Sequence, residues 1–275
     1  MYVLGPYPSL SLKAVNSVKQ SCAMSLFRIN VVFHKFLVPE CYETLSEKDK
    51  EDHVRFIAVN GKIEKRVPPE LSPLVIYESA LPWYNPFMQH NRFCESSAFF
   101  HAWRNPQVFL DQAYIGFVHY DMIVKKEALE FLQANITAAE AAKKKVVFAP
   151  YCHEARDHLY QVISLGAWDR VVQIYNILHG TRHNIHTVID VEIPLYHTFV
   201  IHKELFHRMM TFAEVVVPRL FGFIRYDTRH LPFMLERMHG VFLALQRIDG
   251  ETGEWLPLPG IIHEDRLKDS WRGAS

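Results

Sequence analysis

Short apolar runs alternate with polar, helix-prone stretches through the first 150 residues. "FRINVVFHKF" (27–36) is apolar and β-branched, the pattern of a buried strand. "PECYETLSEKDKED" (39–52) is polar and predicts a helix. "HVRFIAVNG" (53–61) predicts a second strand closed by an Asn-Gly turn, and "LVIYE" (74–78) a third after a Pro-rich passage. "CESSAFFHAWRN" (94–105) sets Ala98, Phe99, Ala102 and Trp103 at helical spacing. "AYIGFVHYDMIV" (113–124) reads as a buried strand that runs into His119, Tyr120 and Asp121. A helix at 125–136 and a strand at 144–150 follow.

The second half is more helical. Residues 156–180 read as two helices, or one broken at Gly166. Residues 194–224 read as a strand and then a helix. Residues 232–246 form an amphipathic helix with Pro232 in its first turn, where its missing N–H costs nothing. Residues 255–265 read as extended. Strands alternating with helices predict an α/β fold, a mixed and largely parallel sheet flanked by helices. No linker, internal repeat or low-complexity segment interrupts 27–265, so that span is expected to be a single domain, preceded by an extended or partly ordered leader (1–26) and followed by a polar tail (266–275).

Composition narrows the function classes. Lys and Arg (30) balance Asp and Glu (30), so the 275-residue chain has no overall field to gather nucleic acid, which is not expected as a partner. Cys22, Cys41, Cys94 and Cys152 form no CxxC pair and read as reduced thiols of a cytoplasmic protein. No apolar run is long enough for a transmembrane segment, and the first residues lack the order of a signal peptide. The first strand is not followed by a Gly-rich loop, which argues against a methyltransferase or a dinucleotide-dependent oxidoreductase. Walker A and G-x-S-x-G patterns are also absent.

In open α/β sheets ligands bind beyond the carboxyl ends of the strands, where His34 and the His119–Asp121 pair are expected. Residues two apart on a strand face the same side, and imidazole with carboxylate suits Mn²⁺ or Mg²⁺. On spacing alone the plainer reading prevails: His119 is packed and Asp121 caps the next helix. His34 reads equally as a nucleotide contact or as a polar residue entering a helix. Glu236 reads equally as a general base or as half of a surface charge pair with Arg237, near Arg229 and His230. Asp190 and Glu192 are rival bases, His197 is a candidate acceptor contact, and His263 either closes over a metal or is an ordinary exposed histidine. Trp103 reads as core.

Taken together, Asn91, Glu95, Trp103, Asn105, Tyr114, Gly116, His119 and Tyr120 form a longer signature. It resembles the capsular-polysaccharide and viral-glycan glycosyltransferases, approximately N-x-x-x-E-L-x-x-x-Y-W-x-W-K-N, a short gap, then Y-x-G-x-x-H-Y. It is similar to the first domain of the multi-domain chlorella-virus glycosyltransferase. The likeness covers 28–125, with a weaker echo through "YHTFVIHKELF" and "ERMHGVFLAL". It implies a GT-A-like fold, with a nucleotide-sugar half (27–150) and an acceptor half (151–265). It also implies metal-assisted hexosyl or deoxyhexosyl transfer from a nucleotide-diphosphate sugar to a glycan hydroxyl, in the cytoplasm (the host's, for a viral chain).

His119 and Asp121 then occupy positions one and three of a D-x-D-type motif, with His263 as a further metal ligand. Arg92 would fork onto phosphate and Glu95 orient a donor hydroxyl, where otherwise the pair caps a helix. Asn91, His34 and Tyr120 complete the implied donor contacts. The bacterial relatives usually carry Arg at the position of Asp121, so Asp121 argues for a metal here, while His119 leaves its coordination open. A binding module of the same fold without turnover is the alternative.

Overall fold

The computed structural model describes residues 25–89, 93–223, 231–253 and 255–264; the leader up to residue 24, the polar tail, and the expected contacts Asn91, Arg92, Arg229 and His230 lie outside them. The strands are β1 (Phe27–Phe33), β2 (Val54–Ala58), β3 (Val75–Tyr77), β4 (Tyr114–His119), β5 (Met122–Val124), β6 (Val147–Ala149), β7 (Cys152–Glu154), β8 (Glu192–Pro194), β9 (Phe199–His202), β10 (Trp255–Pro257) and β11 (Ile261–His263). The helices are α1 (Glu47–His53), α2 (Ser96–Arg104), α3 (Pro106–Phe109), α4 (Lys126–Ala141), α5 (Ala155–Leu159), α6 (Leu165–His179), α7 (Ile185–Ile189), α8 (Lys203–Phe223) and α9 (Leu231–Ile248).

Seven strands form the main sheet in the order β10-β6-β9-β4-β1-β2-β3. β1 pairs in parallel with both β2 and β4, β2 with β3, and β6 with β10. Only β9 runs against its neighbours, β4 and β6. The expected mixed, largely parallel sheet flanked by helices is therefore the fold observed.

Period-two alternation divides the core between two faces. Ile29, Val31 and Phe33 of β1 pack with Tyr42, Phe56, Val118 and Leu132 of α4. Val32, with Ile115 and Phe117 of β4, faces α2, α6, α8 and α9, the helix-rich layer. There Phe99 stacks on Phe117 at 4.0 Å and on His239 at 5.2 Å. Each such fully buried side chain contributes roughly 1.5–3 kcal/mol of burial.

Three sequence expectations change, and for 156–180 the two-helix alternative is the one observed. The helix expected over 39–52 is confined to Glu47–His53, because Ser46 and Asp49 form a capping box that starts it late. The helical stretch 156–180 breaks before Gly166, with Ser164 accepting from the N–H of Ala167 at the start of α6. The strand expected before α8 is two strands, β8 paired with β7 in a separate ribbon and β9 in the main sheet. The run 113–124 is also two strands: β4 ends at His119, the chain turns at Tyr120 and Asp121, and β5 pairs antiparallel with β11 instead. That turn separates the two residues expected to share a face.

Candidate active site

β1 and β4 are parallel neighbours, so their carboxyl ends open on the same side of the sheet. His34 follows β1 directly, and His119 closes β4 beside Val32. By strand alternation both belong to the helix-rich face. Glu95, at the N-cap of α2, approaches from that layer and holds His34 Nε2 at 2.7 Å. Burial alone would raise the Glu95 carboxyl, but His119 and the His34 hydrogen bond outweigh it and hold the group well below the usual glutamate range.

Glu236 reaches the same cluster from the second turn of α9. Its side chain is 13 % exposed and bonds Arg237 at 3.0 Å. Burial raises its pKa, Arg237 and His119 oppose the rise, and Glu95 adds to it. The main chain of Tyr196 also opposes the rise. A buried carboxyl displaced upward suits proton transfer. Arg237 anchors this turn by donating to the carbonyls of His158 and Phe233.

His197 lies beneath the cluster, 6.3 Å from His119 and 5.2 Å from His239 between ring centres. Its Nε2 is 3.3 Å from Ser96 Oγ. Burial holds His197 well below the ordinary histidine range and pushes His239 down to about 3, so both are neutral and packed. At 3 % exposure, His197 supports the site from below rather than lining an acceptor pocket, a correction to the sequence expectation.

The second group lies past the turn. Asp121 Oδ2 is 3.2 Å from His263 Nε2, and the N–H of Glu264 donates to the carbonyl of Asp121. β11 carries His263 there by pairing with β5, and Tyr151 Oη accepts from the N–H of His263 at 2.8 Å. Burial raises the pKa values of Cys41 and Tyr42, on the opposite face of the sheet from Glu95, and Asp121 adds to both rises.

Among the described residues, no three His, Cys, Asp or Glu side chains gather as a metal site. The expected Asp121–His119–His263 triad is thus corrected to the pair Asp121–His263, since the turn after β4 leaves His119 with Glu95 and Glu236. Asp121 Oδ1 and His119 Nε2 are both buried without a hydrogen-bond partner among the described residues, as are both ring nitrogens of His239 beneath the cluster. Such an orphaned carboxylate oxygen beside an imidazole fits a divalent cation that takes its other ligands from phosphate and water.

Asp190 does not join either group. It is 67 % exposed at the end of α7 and ion-paired with Arg156, so it is corrected from candidate base to surface pair. Glu192 is likewise exposed, in the β7–β8 ribbon. Tyr120 is half-buried, packing edge-on against Phe36 at 5.6 Å. Trp103 lies at the far end of α2 and donates to His207. A groove of about 830 Å³ between Lys143–Lys145 and Glu251–Gly253 opens at the amino end of β6, away from these side chains. Sequence reading passed over Tyr151 and Tyr196; two aromatics beside strand ends give no signal until the chain folds.

The fold is a GT-A-like α/β fold, similar to that of a solved glycosyltransferase. The bifunctional glycosyltransferase WbbM, in its apo structure, superposes with a TM-score of 0.57 and 15% identity over 84% of this chain. The match spans 44% of WbbM, less than half of that protein. Core-mannan synthase A (CmsA/Ktr4) from Aspergillus fumigatus, in its Mn/GDP form, matches 83% of this chain and 72% of its own at 11% identity, with a TM-score of 0.39, a likeness too slight to bear on the fold. No protein-family model and no curated protein matches the sequence.

Proposed function

We propose that this chain transfers a hexosyl or deoxyhexosyl group from a nucleotide-diphosphate sugar to a glycan hydroxyl. The observation that carries the reading is the pairing of roles at the carboxyl end of the sheet. A buried carboxyl with a raised pKa, Glu236, stands beside His119 and Glu95, and the Asp121–His263 pair with its orphaned oxygen lies across the turn. The fold of the chain supports it.

Asp121 and His263 are the residues that would hold a divalent ion, Mn²⁺ or Mg²⁺, against the donor diphosphate. Such an ion neutralises the charge that develops on a departing nucleoside diphosphate. Glu236 takes the proton from the acceptor hydroxyl, and Arg237 then faces the neutral acid rather than a carboxylate. Glu95, kept ionised by its histidine neighbours, orients the donor through His34. His119, with Nε2 free of protein partners, is available to a substrate oxygen. An inverting displacement uses Glu236 in this way.

A donor panel tests the reading. UDP-glucose, UDP-N-acetylglucosamine, GDP-mannose and TDP-rhamnose, each with and without Mn²⁺, should include one that raises the melting temperature, because a ligand bound only to the native state stabilises it by about 2.7 kcal/mol at a hundred times its Kd. The same donor should release its nucleoside diphosphate on incubation with acceptor glycans. A flat response refutes the proposal. Stabilisation without release under any acceptor supports the alternative, a binding module without turnover, which the separation of His119 from Asp121 favours.

A further inference from the structure

The turn Leu195–Thr198 joins β8 to β9 and is the most strained backbone near the site. Tyr196 has φ +60° and His197 φ +48°, two successive non-glycine residues in the left-handed region. Each such residue costs on the order of 1 kcal/mol and persists only where its surroundings hold it. Here the N–H of Thr198 donates to the carbonyl of Leu195, its Oγ1 donates to the carbonyl of Tyr196, and His197 is locked beneath the cleft. The double twist sends the His197 ring into the core and the Tyr196 ring outward, where it is 37 % exposed.

That outward ring is held without being covered. It stacks on His263 at 5.9 Å with 27° between planes, and meets Tyr151 edge-on at 5.5 Å. The ring of His197, the next residue, lies 6.3 Å from His119 between ring centres. The turn therefore meets both groups of the site: through the Tyr196 ring the Asp121–His263 pair, and through the His197 ring His119. A glycine or asparagine would occupy this conformation with less strain, so the turn alone does not call for a tyrosine.

We propose that the exposed face of Tyr196 is the platform for the sugar being transferred. The inference rests on the donor reading above. A sugar joined to a diphosphate at Asp121 and attacked by a hydroxyl deprotonated at Glu236 has to lie between those two groups, and Tyr196 stands on the turn whose two rings meet His263 and His119. A pyranose presents a face of C–H groups that packs on an aromatic ring, while its hydroxyls stay free for polar partners at the edge.

The test compares Tyr196→Asn, which tolerates the left-handed backbone and removes the ring, with Tyr196→Phe, which keeps it. Calorimetric Kd values are measured with Mn²⁺ for the four nucleotide sugars above and for UDP, GDP and TDP alone. Wild type is expected to bind one nucleotide sugar more tightly than its parent diphosphate. Tyr196→Asn should lose that sugar-dependent gain, about two- to tenfold for an aromatic contact, while its affinity for the bare diphosphate stays within twofold. Tyr196→Phe should keep the gain. The platform is overturned if Tyr196→Asn keeps the gain, if Tyr196→Phe loses it as fully, or if wild type binds a diphosphate and the sugar adds nothing. Wild type that binds neither sugar nor diphosphate refutes the donor reading, and the platform with it.

Discussion

His34 and Glu95 stand 61 positions apart in the chain and meet at 2.7 Å beyond the end of β1. The contact ties the first strand of the sheet to the first turn of α2, and His119 adds its field from β4. Its consequence is a carboxyl depressed below the ordinary range. A depressed carboxyl contributes stability that is complete above the unfolded pKa near 4.5 and is lost as pH falls toward the folded value. Glu95→Gln should therefore destabilise the protein at pH 7 and flatten its acid-unfolding curve below pH ~4.5. Denaturant midpoints measured across pH 3 to 7, as set by that range, check it; parallel curves for the two proteins would be contrary.

Glu236 has the opposite sign. Its folded pKa is raised, chiefly by burial, so its contribution to stability is present while the acid is protonated and is lost as pH climbs through the folded value. Glu236→Gln should leave the fold at least as stable as wild type at pH 8 and lower turnover about 10²–10⁴-fold, with donor affinity unchanged. Melting curves and kinetics together read this. A parallel fall in donor affinity would remove Glu236 from the role of base.

Asp121→Asn keeps the shape of the side chain and removes the charge beside His263. Donor-induced stabilisation should fall and its dependence on Mn²⁺ should vanish, while the melting temperature without ligand moves by no more than a few degrees. Undiminished Mn²⁺ dependence would mean that the ion is held elsewhere.

Gly260 sets the turn that leads into β11. Its φ is +72°, and a Cβ there would stand 2.8 Å from the Ala128 main-chain nitrogen of α4. Gly260→Ala is expected to cost about 1–3 kcal/mol and to loosen donor binding, because the turn positions the strand that carries His263. Chemical denaturation and donor titration measure the two effects.

Glu78 and His101 are both fully buried and paired at 2.8 Å, with Ser97 Oγ donating to the same carboxylate and the N–H of Asn85 donating to His101 Nε2. This network straps the segment before α2, and so the position of Glu95. Glu78→Ala should destabilise by about 3–5 kcal/mol, the range for a buried pair that loses one partner. An equilibrium unfolding curve decides it.

Elements whose pattern is local were legible in the chain. β1, β2 and β4 are predominantly apolar runs, and α9 starts within one residue of the expected position, with Pro232 in its first turn. The resemblance through Glu95 and His119 pointed to the fold observed, in which His119 closes β4. The interruption after His119 was not legible, because the residues of "AYIGFVHYDMIV" suit a strand throughout. The break follows from β5 finding its partner in β11, some 140 residues later, where His263 meets Asp121 across a sequence separation of 142.

Hydrophobic periodicity and residue chemistry thus determined the α/β class, the largely parallel sheet and the strand ends at which titratable side chains collect, since each depends on neighbours a few positions away. Tertiary closure alone decided that Asp121 pairs with His263 rather than His119, that Asp190 faces solvent with Arg156, that Glu236 is buried enough for its pKa to rise, and that the Tyr196 ring stacks on His263. Those outcomes depend on desolvation and on contacts between distant segments, which exist only once the sheet, α9 and the returning strand β11 have packed together.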